Sequence, residues 1–106
     1  MGRSARLRST RVAEKLREVR IRLGLSQNQM IRLMRLSDVL YQSNISGFES
    51  GEREPPLPIL LRYAHAAGVW IDVLVDDELD LPEDLPSAHK YKGGIPAKSQ
   101  TKRKRP

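Results

Sequence analysis

The sequence predicts an all-α fold of five short helices. Three observations carry this: apolar residues recur every three to four positions in successive segments, glycines stand where those runs end, and a Ser-x-x-Gln capping signature opens one of them. A chain of 106 residues fits one small domain.

Thr10 is placed to cap a first helix whose apolar positions are Val12, Leu16, Val19 and Leu23, and Gly24 ends it. Ser26-Gln27-Asn28-Gln29 matches a capping box, so a second helix runs from there to about Arg35, with Met30, Ile31 and Met34 inward. In Leu36–Tyr41, Ser37 and Asp38 favour a turn, with Val39 and Leu40 packed beneath it. A third helix is expected from Gln42 to Ser50, burying Ile45 and Phe48 and stopping at Gly51. Pro55-Pro56 forbids helix in the loop that follows. Leu57, Leu60, Leu61 and Ala64 form the stripe of a fourth helix ended by Gly68, and a fifth spans about Ile71 to Val75, burying Ile71 and Leu74. The domain organisation read from this is a flexible basic arm over 1–9, a helical domain over 10–79, and a segment over 80–106. Within that segment the Leu-Pro pairs of 81–86 are expected to run extended along the surface. From Ser87 the polar composition cannot repay the entropy of ordering.

Charge is laid out in blocks. The net charge is +6; residues 1–70 carry +6, 71–89 carry −7 through Asp72, Asp76, Asp77, Glu78, Asp80, Glu83 and Asp84, and the tail from Lys90 carries +7. A polyanionic partner fits this layout, with the acidic belt read as a solvated face. The chain has no cysteine, so disulfides and thiolate metal sites are excluded and a reducing cytoplasm is expected. No long apolar run suggests a membrane span, and the basic N-terminal stretch lacks the apolar core of a secretory signal. Catalysis is not expected: His65 and His89 stand far apart, without metal-ligand spacing, and no Gly-rich phosphate loop follows a strand. The acids lack the Gly and terminal Glu of a calcium loop. No metal, cofactor or small-molecule ligand is evident.

The order of signals is more specific than any one of them. RIRLGLSQNQM, then NISGFESG, then PLPILLRYAHAAGV, over roughly Val12 to Asp76, resembles the repressor/Cro-type helix-turn-helix family, also called the XRE family. The resemblance implies a compact lambda-repressor-like domain that binds double-stranded DNA, with its third helix in the major groove and the preceding helix crossing the backbone. Gln42, Ser43, Asn44, Ser46 and Gly47 are then the base-reading positions. A Gln or Asn amide can pair with adenine N6 and N7, at roughly 1–3 kcal/mol of discrimination. No Arg or Lys lies between Asp38 and Gly51, so adenine-containing steps should outweigh guanine forks. Gly47 either costs about 1 kcal/mol of helix propensity or, on an outward face, lets the helix approach the groove; its position favours the second.

Gln27 resembles the family's glutamine that bonds a phosphate and braces the first recognition residue, and Asn28 flanks the same edge. Arg53, near the start of the fourth helix, would meet the opposite strand. Arg3, Arg6, Arg8 and Arg11 of the arm would follow the backbone or enter a minor groove. The KRKR tail would do likewise, or serve as a solubilising or targeting segment. Arg20 and Glu49 resemble the family's ion pair between first and third helices. The stretch 36–41 is longer than the family's usual turn. The third helix therefore begins early, at a Ser37 or Asp38 cap, or the extra residues form a loop in which the Tyr41 hydroxyl meets a phosphate. Val69, Trp70 and Val73 are candidates for a dimer interface, although a core-packed Trp70 explains that residue equally well. A homodimer would read a palindromic site with half-sites roughly 34 Å apart. The function expected is a transcriptional regulator, a repressor acting at the nucleoid of a bacterium or encoded by a phage. The competing expectation is a protein-interaction or antitoxin-like module in which DNA binding is secondary.

Overall fold

The computed structural model describes residues 8–86. They form α1 (Val12–Arg22), α2 (Gln27–Leu33), α3 (Gln42–Ser50), α4 (Leu57–Ala67) and α5 (Ile71–Val75), with no strand among the described residues. The described residues are all-α, as expected. None of these helices is long and apolar enough to cross a membrane. Arg3, Arg6, His89 and the basic tail lie outside the described residues.

α1 is the central element. It packs against α3, α4 and α5, while α2 packs on α3. Leu16 and Val19 of α1 and Leu23 at its C-cap meet Met30, Ile31 and Met34 from α2 and its cap, Ile45 and Phe48 from α3, Leu60, Tyr63 and Ala64 from α4, and Leu74 from α5. Burying these side chains at roughly 1.5–3 kcal/mol each is what opposes the entropy of ordering the chain.

The start of α1 corrects the sequence reading. Thr10 does not cap the helix with its own side chain; Arg11 takes the N-cap position with no side-chain cap bond. The donors leading into the helix are instead taken up by Asp77, whose carboxylate accepts from Thr10 N at 2.9 Å, Arg11 N at 3.0 Å and Thr10 Oγ1 at 2.9 Å. Those bonds hold the Asp77 carboxyl below its ordinary value, the Thr10 backbone bond first.

The C-terminal end of α5 is tied to α1 in turn. Lys15 is only 2% exposed, and its Nζ donates to the carbonyls of Val73 (2.9 Å), Asp76 (2.9 Å) and Leu79 (2.7 Å). An ammonium has three donors and no acceptor, so this geometry uses it fully. Arg11 donates to Asp80 Oδ1 at 2.6 Å and to the Asp77 carbonyl at 2.8 Å. The acidic belt is therefore not simply a solvated face: Asp77 and Asp80 clamp the beginning of α1.

The ordered unit also extends beyond its expected boundaries. Ser9 Oγ donates to the Val75 carbonyl, so residue 9 belongs to the fold and not to an arm. Leu85 is buried in the core and Leu81 packs against it, while Arg22 donates to the Pro82 carbonyl. The 81–86 segment thus closes the core, where a surface run was expected.

α2 stops two residues earlier than expected. Arg35 takes a left-handed φ of 61°, and Arg35 N and Leu36 N donate to the carbonyls of Arg32 and Ile31, both at 3.0 Å. This is the six-to-one and five-to-two bonding of a Schellman cap, with an arginine where glycine is usual. Leu36 is then buried, as its place in that motif requires. In the following turn Leu40 is half-buried against the core, but Val39 is 63% exposed, contrary to the expectation that both pack beneath it.

Candidate nucleic-acid interface

α2 and α3 are set by different local devices. Ser26 Oγ accepts from Gln29 N at 3.1 Å, while Gln29 Oε1 accepts from Ser26 N at 2.8 Å, the reciprocal capping box expected from the sequence. Gln27 therefore opens α2. α3 starts at Gln42, so the early start at Ser37 or Asp38 does not occur. Tyr41 is its N-cap residue, and the Asn44 Oδ1 reaches back to accept from Tyr41 N at 2.7 Å.

With Ile45 and Phe48 buried, α3 shows Gln42, Ser43 and Ser46 to solvent, and Tyr41, 77% exposed, stands at the same end. Asn44 is half-buried and its oxygen is committed to the helix start. It is a residue that shapes α3 before it is one that reads anything.

Gly47 corrects the sequence reading outright. It is buried, and a Cβ there would lie 3.3 Å from Cγ and Cδ of Arg53, whose backbone N–H donates to the Gly47 carbonyl at 3.1 Å. The missing side chain makes room for the arginine stem, not for a groove. It thereby brings Arg53 alongside α3.

A continuous polar chain ties the exposed start of α3 to the scaffold. Gln42 Nε2 donates to Gln27 Oε1 at 3.1 Å, and Gln27 Nε2 donates to Glu49 Oε1 at 3.3 Å. Arg20 closes the chain: its Nε donates to Glu49 Oε2 at 2.6 Å, its Nη2 to Oε1 at 2.9 Å and its Nη1 to the Leu25 carbonyl at 2.9 Å. The side chains of this ion pair are 15% and 5% exposed. The Glu49 bond raises the Arg20 pKa against the opposing effect of burial. Tyr63 of α4 is buried close by; burial first, then the Glu49 charge, pushes its phenol above its ordinary value. Its hydroxyl has no hydrogen-bond partner among the described residues.

The other expected phosphate contacts divide. Asn28 is exposed beside Gln27 at the start of α2. Arg8 is exposed and lines, with Arg53, Glu54 and Phe48, a cleft of roughly 370 Å³ between residues 8–10 and the end of α3. Arg11 is corrected: bonded to Asp80 and to the carbonyls of Asp77 and Leu79, it serves the scaffold.

On a separate face Trp70 is 83% exposed, so it is not a core residue. It borders an apolar groove of roughly 520 Å³ with Leu61, His65, Val69 and Ile71. Val73 is half-buried nearby in sequence but does not line that groove. Leu57 is exposed as well. Among the described residues no group of three or more His, Asp or Glu is placed to hold a metal ion.

The continuity from Gln27 to Glu49 was missed by sequence reasoning. Its signal was partial: Glu49 was expected to pair with Arg20 and Gln27 to brace the first recognition residue, but nothing in the sequence joined the two. A scan of family models finds no match to the chain, and neither the curated proteins nor the solved structures contain a significant one.

Proposed function

We propose that this chain is a sequence-specific double-stranded DNA-binding protein of the repressor/Cro type, a lambda-repressor-like domain acting as a transcriptional repressor. The carrying observation is the exposed polar start of α3, held to the rest of the fold by the Gln42–Gln27–Glu49–Arg20 chain. A reading head must be displayed and yet fixed, because base edges are discriminated over fractions of an ångström. Gln42, Ser43 and Ser46 supply the base contacts, and adenine is the base Gln42 recognises. Tyr41, Asn28, Gln27 and Arg53 supply phosphate contacts on either side, together with Arg8. The setting proposed is the nucleoid of a bacterium or of a cell infected by a phage that encodes the protein.

Random-site selection followed by footprinting tests this. A recovered site rich in adenine at the protected steps is expected, with affinity falling steeply as salt rises. Gln42→Ala should then lower discrimination at one step by roughly ten-fold, within the worth of one bidentate pair, while leaving the helical spectrum intact. Equal retention of random and selected duplexes would overturn the proposal.

The groove at Trp70 supports homodimerisation, with two copies reading a palindromic site. It also favours the second reading, a protein-interaction or antitoxin-like module, since an apolar surface around an exposed tryptophan fits a protein partner. Salt separates the two: an apolar protein contact does not weaken as phosphate contacts do.

A further inference from the structure

Resting on the DNA-reading proposal, we infer that Glu49 is a positioning residue that sets which way the amide of Gln42 faces, and so determines base preference without touching DNA. The inference follows from what each group in the chain is able to do. A carboxylate only accepts hydrogen bonds, whereas a glutamine amide has one end that donates and one that accepts. Glu49 cannot turn to change this, because Arg20 grips both of its oxygens at 2.6 and 2.9 Å and the side chain is 5% exposed.

The constraint then propagates. Glu49 Oε1 faces Gln27 at 3.3 Å, so Gln27 must offer Nε2; turned over, it would set a carbonyl oxygen against a carboxylate oxygen. With its nitrogen committed there, Gln27 presents Oε1 to Gln42, which must donate to it from Nε2 at 3.1 Å. One N–H of Gln42 is thereby consumed. The other N–H and the Oε1 are left facing outward in a fixed order. Adenine offers an acceptor, N7, beside a donor, N6, and this order matches it in one orientation only. Ser43 and Ser46 carry no such polarity, since a hydroxyl rotates to donate or accept as its partner requires.

The decisive variant is Glu49→Gln, which keeps the size of the side chain but lets it donate or accept. In the free, 15N-labelled protein one Nε2 hydrogen of Gln42 should exchange slowly in the wild type and lose that protection in the variant. On DNA, the preference for adenine at the Gln42 step should fall by roughly five-fold or more, the low end of one amide pair. Binding to random duplex should stay within about two-fold. Combined with Gln42→Ala, Glu49→Gln should change discrimination no further, because its effect passes through Gln42.

Full adenine preference in Glu49→Gln would overturn the inference while leaving the DNA-reading proposal standing. So would an equal loss in the Gln42→Ala background, which marks a general loosening of the fold. If Glu49→Gln fails to fold, Gln27→Leu leaves the Arg20–Glu49 pair in place and must also abolish the Gln42 preference; retention there overturns it too. A wild-type protein that selects no duplex overturns the DNA-reading proposal itself, and the wild-type exchange measurement still shows whether the polar chain exists.

Discussion

Replacing Lys15 by methionine removes the ammonium while keeping a stem of similar length in the core. Three carbonyls, those of Val73, Asp76 and Leu79, then lose the donor that reaches them at 2.7–2.9 Å. Leaving a buried acceptor without a partner costs about 1–3 kcal/mol. The methionine escapes one penalty, because burial disfavours the lysine's charge and draws its pKa below 10.5, with the Arg11 charge acting in the same sense. Two of the three keep another donor, the Asp76 carbonyl from Leu79 N at 3.0 Å and the Leu79 carbonyl from Arg11 Nη1 at 3.4 Å. Only the Val73 carbonyl therefore loses its partner, and the loss is about 1–2 kcal/mol in total. A domain of this size has roughly 4–12 kcal/mol of stability altogether, so the loss is a large share. In urea, with m near 1 kcal/mol/M for a small domain, the midpoint should fall by about 1–2 M without a change in slope. A midpoint within about 0.5 M of the wild type would refute the reasoning, because it would mean that water or a shifted backbone satisfies the Val73 carbonyl at no net cost.

Tyr63→Phe should leave stability unchanged or raise it by up to about 1 kcal/mol, since the buried hydroxyl has no partner to lose; a clear loss in chemical denaturation would show that the hydroxyl is bonded. Arg35→Gly should stabilise by about 1 kcal/mol by relieving the left-handed backbone at φ 61°, and Arg35→Val should do the reverse in the same assay. Asp77 and Asp80 are held below the usual 3.8, Asp77 by the Thr10 backbone bond first and Asp80 by its bond to Arg11. A folded-state pKa below the unfolded one contributes stability that is present above about pH 4 and lost as pH falls through the folded values. Thermal melts of Asp77→Ala should accordingly depend less on pH on the acid side than those of the wild type; an unchanged acid limb would count against the clamp. Trp70→Glu should convert dimers to monomers in sedimentation equilibrium if the Trp70 groove joins two copies, and an unaltered dimer would assign the interface elsewhere.

Much of the fold was legible because its signals are local. Gly51 after the Ile45–Phe48 pair bounded α3, and Ser26–Gln29 opened α2; both are decided within a few residues of chain. Ion pairing of Arg20 with Glu49 was legible through the family resemblance alone. What escaped was non-local. Nothing around Thr10 announces that its cap comes from a residue 67 positions later, and nothing around Leu85 separates a core leucine from one in a surface run. Lys15 had a signal: Val12, Lys15, Leu16 and Val19 share one helical face, so a lysine stood on the apolar stripe. The usual exposure of lysine argued against reading it that way. Gly47 misled because helical spacing alone placed it outward, whereas Arg53 returns over it from the next loop.

The carboxylate that holds the residues leading into α1 lies 66 positions further along the chain. Protein synthesis runs from the first residue to the last, so a nascent chain carries α1 with a frayed beginning and a lysine lacking its carbonyls until Asp77 and Leu79 have left the ribosome. The helix on which α3 rests is consequently completed late. A polypeptide arrested before those residues would hold every side chain proposed to read DNA and would lack the frame that aligns them.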